Sequence, residues 1–302
     1  MFVINLDFLK DLIDKPHLIS DLKFEDVSNI LKCAKKIFEN EDLLLEFHTN
    51  NPDKEVFVIG DVHGNLETLI RIFKTINEKD SSLIIFLGDI VDRGSKQLEC
   101  LIFVLTLKIL NPHKFYLLRG NHETLEMNQR YGFWEYFITK FNDSNNFNEV
   151  LAVYNVLPFC AIINGSILCL HGGIPQDNEI LKKLKGVKTK NIGTIFRSIA
   201  HGINQIMWND PKKLVQGFTE SFRGLGIKFF GEDVFENFLN QNDLKFVIRA
   251  HECFPEGYRW FFNKRLLSIF SSANYRGLNS PNPASYALIV NDEIFPQIVE
   301  FL

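Results

Sequence analysis

Apolar residues at Phe24, Val27, Ile30, Leu31, Ala34, Ile37 and Phe38 recur at three-and-four spacing, the pattern of a helix with one face on a core. The spacing predicts an amphipathic helix over 22–40. From residue 55 the pattern changes to short apolar runs, each closed by glycine or a polar cluster and mostly followed by helix-like segments. That alternation marks buried strands in an α/β chain. The runs are 56–60, 82–88, 114–120, 166–170, 245–250 and 266–270. Two stretches break it: 141–149 reads as a surface loop between helical segments, and 178–195 as a second irregular region.

Reactive side chains follow each run. They are Asp61 and His63, then Asp89, Asp92 and Arg93, then Asn121 and His122, then His171, then His251, then Asn274 and Tyr275. Ligands gather at the carboxyl ends of strands in open α/β sheets, so one sheet would bring all of these into one crevice.

Composition narrows the class. The chain has 302 residues, 46% hydrophobic and 23% charged, ordinary values for a packed globule that exclude global disorder, collagen and coiled coil. A net charge of −4 supplies no broad footprint for nucleic acid. Cys33, Cys100, Cys160, Cys169 and Cys253 show no CxxC spacing, which argues against a disulfide framework or thiolate zinc site and favours the cytoplasm, with the nucleus as alternative. Asp7, Asp11 and Asp14 interrupt the first segment, and the longest apolar window, Leu101–Leu110, is far below the ~20 residues of a membrane span. No membrane association is expected. Lys182, Lys183, Lys185, Lys188 and Lys190 read as a solvated face in preference to a docking patch.

The chemistry lies in GDVHG, GDIVDRG, GNHE, HGG and RAHE, which offer carboxylate, imidazole and amide ligands without thiolate. That mixture suits manganese, iron or zinc, and two ions can be held if one carboxylate bridges. A single GDVHG could equally be a turn with a capping Asp. Five such segments at strand ends have no reason to share ligand chemistry unless they meet. The glycines among them predict sharp turns and close backbone approach. Cys253 and Arg259 have the Cx5R spacing of cysteine-dependent phosphatases, but Pro255 removes a phosphate-binding N–H and the residues after Arg259 read as strand.

Together GDVHG (60–64), GDIVDRG (88–94), RGNHE (119–123), HGG (171–173), WNDP (208–211), FRGLG (222–226), RAHE (249–252) and SSANY (271–275) resemble the serine/threonine phosphoprotein phosphatases of the calcineurin-like metallophosphoesterase superfamily. The resemblance runs from about residue 20 to 290. It implies an α/β fold, a central β-sandwich of mixed sheets flanked by helices, with 1–302 as one catalytic domain and 1–50 as a helical segment packed on it. It places Asp61, His63 and Asp89 on one divalent ion and Asp89, Asn121, His171 and His251 on another, manganese first and iron or zinc as alternatives. Arg93 and Arg223 match phosphate-binding arginines, His122 the general acid, Asp92 its orienting partner, and Tyr275 and Tyr131 aromatics lining the site.

The implied activity is hydrolysis of phosphoserine and phosphothreonine in proteins by a metal-bridged hydroxide, with regulatory or targeting subunits as partners. A nucleotide or dinucleotide polyphosphate hydrolase shares the first three motifs, but FRGLG and SSANY speak against it. A catalytically dead scaffold is opposed by the complete ligand set. SSANY stands where many relatives have Ala-Pro before Asn-Tyr, and Arg276 replaces a cysteine that some carry next, which bears on toxin sensitivity and not on catalysis.

Overall fold

Val56 and Val58 of the strand Glu55–Ile59 pack into one apolar cluster, Phe57 and Ile59 into another. The strand Ser81–Phe86 divides in the same way, Leu83 and Ile85 to one side, Ile84 and Phe86 to the other. Period-two alternation with both faces apolar is what a strand covered on both sides requires.

The computed structural model describes residues 4–49, 54–77 and 81–300, so the first three residues of the opening segment lie outside the described residues. One sheet has five strands in the order Glu293–Ile298, Ser285–Val290, Glu55–Ile59, Ser81–Phe86, Phe115–Leu117, the last three parallel. A second has six, in the order Leu44–Phe47, Cys160–Ile163, Ile167–Leu170, Phe246–Arg249, Leu266–Ile269, Tyr258–Phe261, and a small third sheet joins Asp210–Pro211, Lys228–Phe230 and Phe218–Glu220. Val56, Val58, Leu83 and Ile85 of the first meet Ala161, Ile163, Ile167, Cys169, Ile248, Leu267 and Ile269 of the second in one cluster. This is a β-sandwich core. The α/β architecture of mixed sheets flanked by helices stands as expected.

Helices cover the outer faces. Phe24–Phe38 forms within the expected 22–40 and buries Val27, Ile30, Leu31, Ala34 and Phe38. It packs on Gln97–Leu110, a helix whose residues 97–108 are all buried. Lys108, which interrupts the apolar window there, is buried with them and pairs with Glu41 while donating to Pro112 O at 2.7 Å. No helix among the described residues is long and apolar enough to cross a membrane. Phe133, Phe137 and Phe147 form a buried edge-to-face ring cluster with Phe24 and Phe141 at its margin. Truncating one such buried ring to Ala costs roughly 3–5 kcal/mol.

Several expectations change. The chemistry-bearing strands lie in two sheets, not one. Residues 141–149 are not a plain loop: a single 3₁₀ turn, Ser144–Asn146, leads into the helix Phe147–Tyr154, whose first residue is buried. Within 178–195 a short helix, Ile180–Leu184, buries Ile180, Leu181 and Leu184, and a 3₁₀ helix spans Thr189–Thr194. The lysines there do face outward, with Lys183 on Asp177, Lys185 on Glu46 and Lys188 on Asp42. The N-terminal stretch is helical only through Phe38, and Leu44–Phe47 then joins the six-stranded sheet beside Cys160–Ile163.

Candidate active site

Gly88 and Gly120, at the ends of two neighbouring strands, lie back to back. A Cβ on Gly88 would meet Gly120 N at 2.3 Å, and one on Gly120 would meet Asp89 Oδ1 at 2.3 Å. Gly88 also has φ +104. The turns after Ser81–Phe86 and Phe115–Leu117 can therefore pack tightly enough to bring Asp89, Asn121 and His122 together. The five-stranded sheet also supplies Asp61 and His63, while His171, His251 and Tyr275 follow strands of the six-stranded sheet.

The backbone at these turns is strained. His63, Asp89, Asp92, Arg93, His251 and Asn274 all have φ between +47° and +74°, the left-handed region that a Cβ disfavours. Each non-glycine residue held so costs on the order of 1–3 kcal/mol, and hydrogen bonds around the site hold the conformation in place. Asp61 Oδ1 accepts His251 N at 2.9 Å, and Asp89 Oδ1 accepts His122 N at 2.9 Å. Each of these carboxylates thus fixes a neighbouring turn with one oxygen and presents the other.

Two clusters of donor atoms result, His63 with Asp89 and His122, and Asp89 with His171 and His251. Asp89 belongs to both. Its Oδ2 lies 3.7 Å from His63 Nε2 and 3.4 Å from His171 Nε2. Asp61 Oδ2 stands 3.5 Å from His63 Nε2, and Asn121 Oδ1 stands 2.8 Å from His171 Nε2, so the remaining two expected ligands flank the clusters. His63 Nδ1 and His171 Nδ1 donate to the carbonyls of Val91 and Leu87, each at 3.0 Å, which leaves the Nε2 lone pairs facing inward. His122 differs from the other imidazoles. Its Nδ1 is bound to Asp92 Oδ2 at 2.7 Å and its Nε2 is 4.0 Å from Asp89 Oδ2, so it stands at the edge of the cluster.

These groups fit divalent cations. Burial opposes charge on His63, yet hydrogen bonding and attraction from the Asp61 and Asp89 carboxylates hold its imidazolium up to about 9. Asp89 is pushed well below the usual carboxylate range by the surrounding imidazoles, against its burial. Both shifts express the attraction between the Asp61 and Asp89 carboxylates and the imidazoles around them, a negative field that a bound cation would answer in place of the His63 proton. Burial and the nearby Arg223 hold His251 well below its ordinary value, as a neutral, ligating imidazole requires, and its buried Nε2 has no hydrogen-bond partner.

Sequence reasoning missed several supporting residues. Glu123, fully buried, accepts Asp89 N at 2.8 Å and Gly120 N at 2.9 Å on Oε2 and Ile90 N at 3.0 Å on Oε1. Burial and the Asp89 carboxylate push its carboxyl up to about 7. Its place at the end of GNHE was the available signal. Asn128 donates to Asp92 Oδ2 at 2.9 Å, and Asp92 Oδ1 accepts Phe133 N at 3.1 Å. Asp210 of WNDP holds Arg223 at 2.5 Å on one oxygen and the buried Arg249 at 2.9 Å on the other.

The donor clusters open into a crevice of about 360 Å³, with Arg93, Arg223, Tyr131, Trp208 and Tyr275 at its walls. The Arg93 guanidinium lies 3.7 Å from the Tyr131 ring centroid, and the Tyr275 ring stacks on His63 at 5.0 Å. The Cx5R segment is a coincidence of spacing: Arg259 sits in the strand Tyr258–Phe261 and points its Nε at Glu256, 2.6 Å away.

Two guanidiniums above paired donor clusters suit a phosphate group held together with cations, and the class of protein so defined is a metal-dependent phosphoesterase. The chain belongs to the calcineurin-like phosphoesterase family, whose profile matches residues 54–255. Among solved structures it is similar to a protein serine/threonine phosphatase from Saccharomyces cerevisiae with similarity to human phosphatase PP5, at 27% identity and TM-score 0.84, covering 99% of this chain and 97% of that one. A cold-active protein-tyrosine phosphatase of a psychrophilic Shewanella shares the fold at 18% identity and TM-score 0.60, covering 88% and 84%.

Proposed function

We propose that this chain hydrolyses phosphoserine and phosphothreonine in proteins, with manganese as its first metal and targeting subunits supplying specificity. The observation that carries the reading is the His122–Asp92 pair at the edge of the donor clusters. Serine and threonine alkoxides are very poor leaving groups and need a proton, whereas the phosphate leaving from a polyphosphate does not. The likeness to the yeast enzyme over nearly the whole chain supports the same reading.

Asp61, His63 and Asp89 would hold one ion, and Asp89, Asn121, His171 and His251 the other. When bound, the two ions would lower the pKa of a shared water and polarise the phosphate. The protein's own groups do the rest. Arg93 and Arg223 clamp phosphate oxygens, and Asp210 aims Arg223 by holding its Nε. His122 Nε2 gives its proton to the departing oxygen, while Asp92, accepting from Nδ1, keeps the ring oriented and stabilises its protonated form.

The test is phosphate release, with Mn²⁺ present, from phosphoserine peptides, phosphotyrosine peptides and diadenosine tetraphosphate. Phosphoserine peptides should be turned over best. Faster cleavage of the dinucleotide would replace this reading with the polyphosphate one.

A further inference from the structure

Beside the catalytic crevice, with Glu252 in the wall of both, lies a second depression of about 330 Å³. Its apolar lining comes from Phe254 and Phe261, both nearly buried, and from Leu214, which is 99% exposed. Its charged lining is Lys212, Lys213 and Arg259 against the single carboxylate of Glu252. That carboxylate is already taken, since Arg249 Nη1 donates to it at 2.9 Å. Arg259 lies 4.1 Å from the Phe254 ring centroid and pairs with Glu256 at 2.6 Å, while Lys212 stands 4.9 Å from the Phe229 ring centroid. Lys212 and Lys213 are exposed and form no ion pair among the described residues.

This concentration of cations stands out on a chain of net charge −4. Aromatic faces hold Lys212 and Arg259 in place; Arg259 is paired with Glu256, which leaves the two ammonium groups of Lys212 and Lys213 uncompensated. The groove is therefore a positive, partly apolar trough that begins where the phosphate site ends.

We propose that this groove receives an acidic stretch of the substrate, Asp or Glu residues close in sequence to the phosphorylated residue, so that the enzyme selects phosphosites with acidic flanks. The inference rests on the protein phosphatase reading. With a phosphoserine in the crevice, the peptide on one side of it runs past Glu252 toward Lys212, Lys213 and Arg259. Carboxylates there meet unpaired ammonium groups, and aliphatic portions of the peptide lie on Phe254, Phe261 and Leu214. Exposed charge pairs of this kind each change an equilibrium by up to about fivefold, and the effect weakens with salt.

The experiment uses the full chain with Mn²⁺ and a phosphoserine peptide series carrying Glu, Ala or Lys on either side of the phosphoresidue, with p-nitrophenyl phosphate in parallel. On one side only, Glu should raise kcat/KM over Lys by about three- to tenfold at low salt, an advantage that shrinks as salt is added. The double variant Lys212→Glu with Lys213→Glu should cancel or reverse that order while leaving p-nitrophenyl phosphate turnover unchanged, because that substrate does not reach the groove. Equal rates across the peptides, or a preference for Lys, overturn the groove assignment and leave the proposed function standing. Turnover of p-nitrophenyl phosphate with no peptide hydrolysed overturns the function, and the groove with it. Should the double variant fold poorly, by its melting temperature, the wild-type peptide series decides alone.

Discussion

Glu123 Oε2 accepts the backbone N–H of Asp89 at 2.8 Å, so a wholly buried carboxylate underlies the turn that carries the one residue common to both donor clusters. The same side chain ties Ile90 and Gly120 to that turn, and in this way fixes the strained conformation at Asp89 from beneath.

Glu123→Gln tests this support. The amide keeps the shape but turns an NH₂ toward backbone N–H donors, which leaves at least one of them unsatisfied in the interior. Stability should fall by roughly 1–3 kcal/mol in a denaturant melt. Metal affinity should drop by about 10–100-fold, measured as metal retained after dialysis. A variant with wild-type stability and metal content would show that Glu123 is a passive filler.

His122→Asn separates proton donation from binding. Hydrolysis of a phosphoserine peptide should slow by roughly 10²–10⁴-fold, the range for loss of a general acid. Hydrolysis of p-nitrophenyl phosphate should slow much less, since p-nitrophenolate leaves without a proton. Equal losses on both substrates with unchanged metal content would assign His122 to metal or substrate positioning.

Chelation should abolish activity and Mn²⁺ should restore it, because neutral imidazoles and carboxylates bind divalent ions reversibly. Asp89→Asn should reduce bound metal at both clusters, by elemental analysis, more than a change at any residue belonging to one cluster alone. Full turnover after verified metal removal would exclude the metal assignment.

Cys253 lines the crevice, yet burial pushes its thiol up to about 11. A raised thiol pKa means that thiolate forms only as pH climbs through about 11, so alkylation by iodoacetamide should be slow at pH 7 and rise about tenfold per pH unit. Cys253→Ser should keep phosphatase activity. Rapid alkylation at neutral pH together with inactivation of the Ser variant would revive a thiol mechanism.

The sequence carried the strand ends well, because a buried strand followed by Asp, His or Asn is a local pattern. The six apolar runs all contain strands, although 114–120 shrinks to Phe115–Leu117 as the chain turns early toward Asn121. Apart from the strand Tyr258–Phe261, read from the residues after Arg259, strands without such an ending went unseen. Glu293–Ile298 contains Pro296, which reads as a strand breaker, and the protein accommodates it on a sheet edge where no partner needs its missing N–H. Ser285–Val290 lies between that edge and Glu55–Ile59, a placement set by pairing over more than two hundred residues. The division of the site between two sheets is equally long-range. Asp210 and Glu123 were legible only as motif letters, since their importance comes from the buried Arg249, the half-buried Arg223 and the buried amides they satisfy.

The left-handed turns at His63, Asp89, Asp92, Arg93 and His251 set a limit on any attempt to make this protein more durable. Judged by backbone preference alone, each position calls for glycine or asparagine, and design methods that reward local comfort would replace these residues first. Such a chain would melt higher and catalyse nothing. Thermal robustness should instead be sought on the outer helices, where propensity and packing already agree.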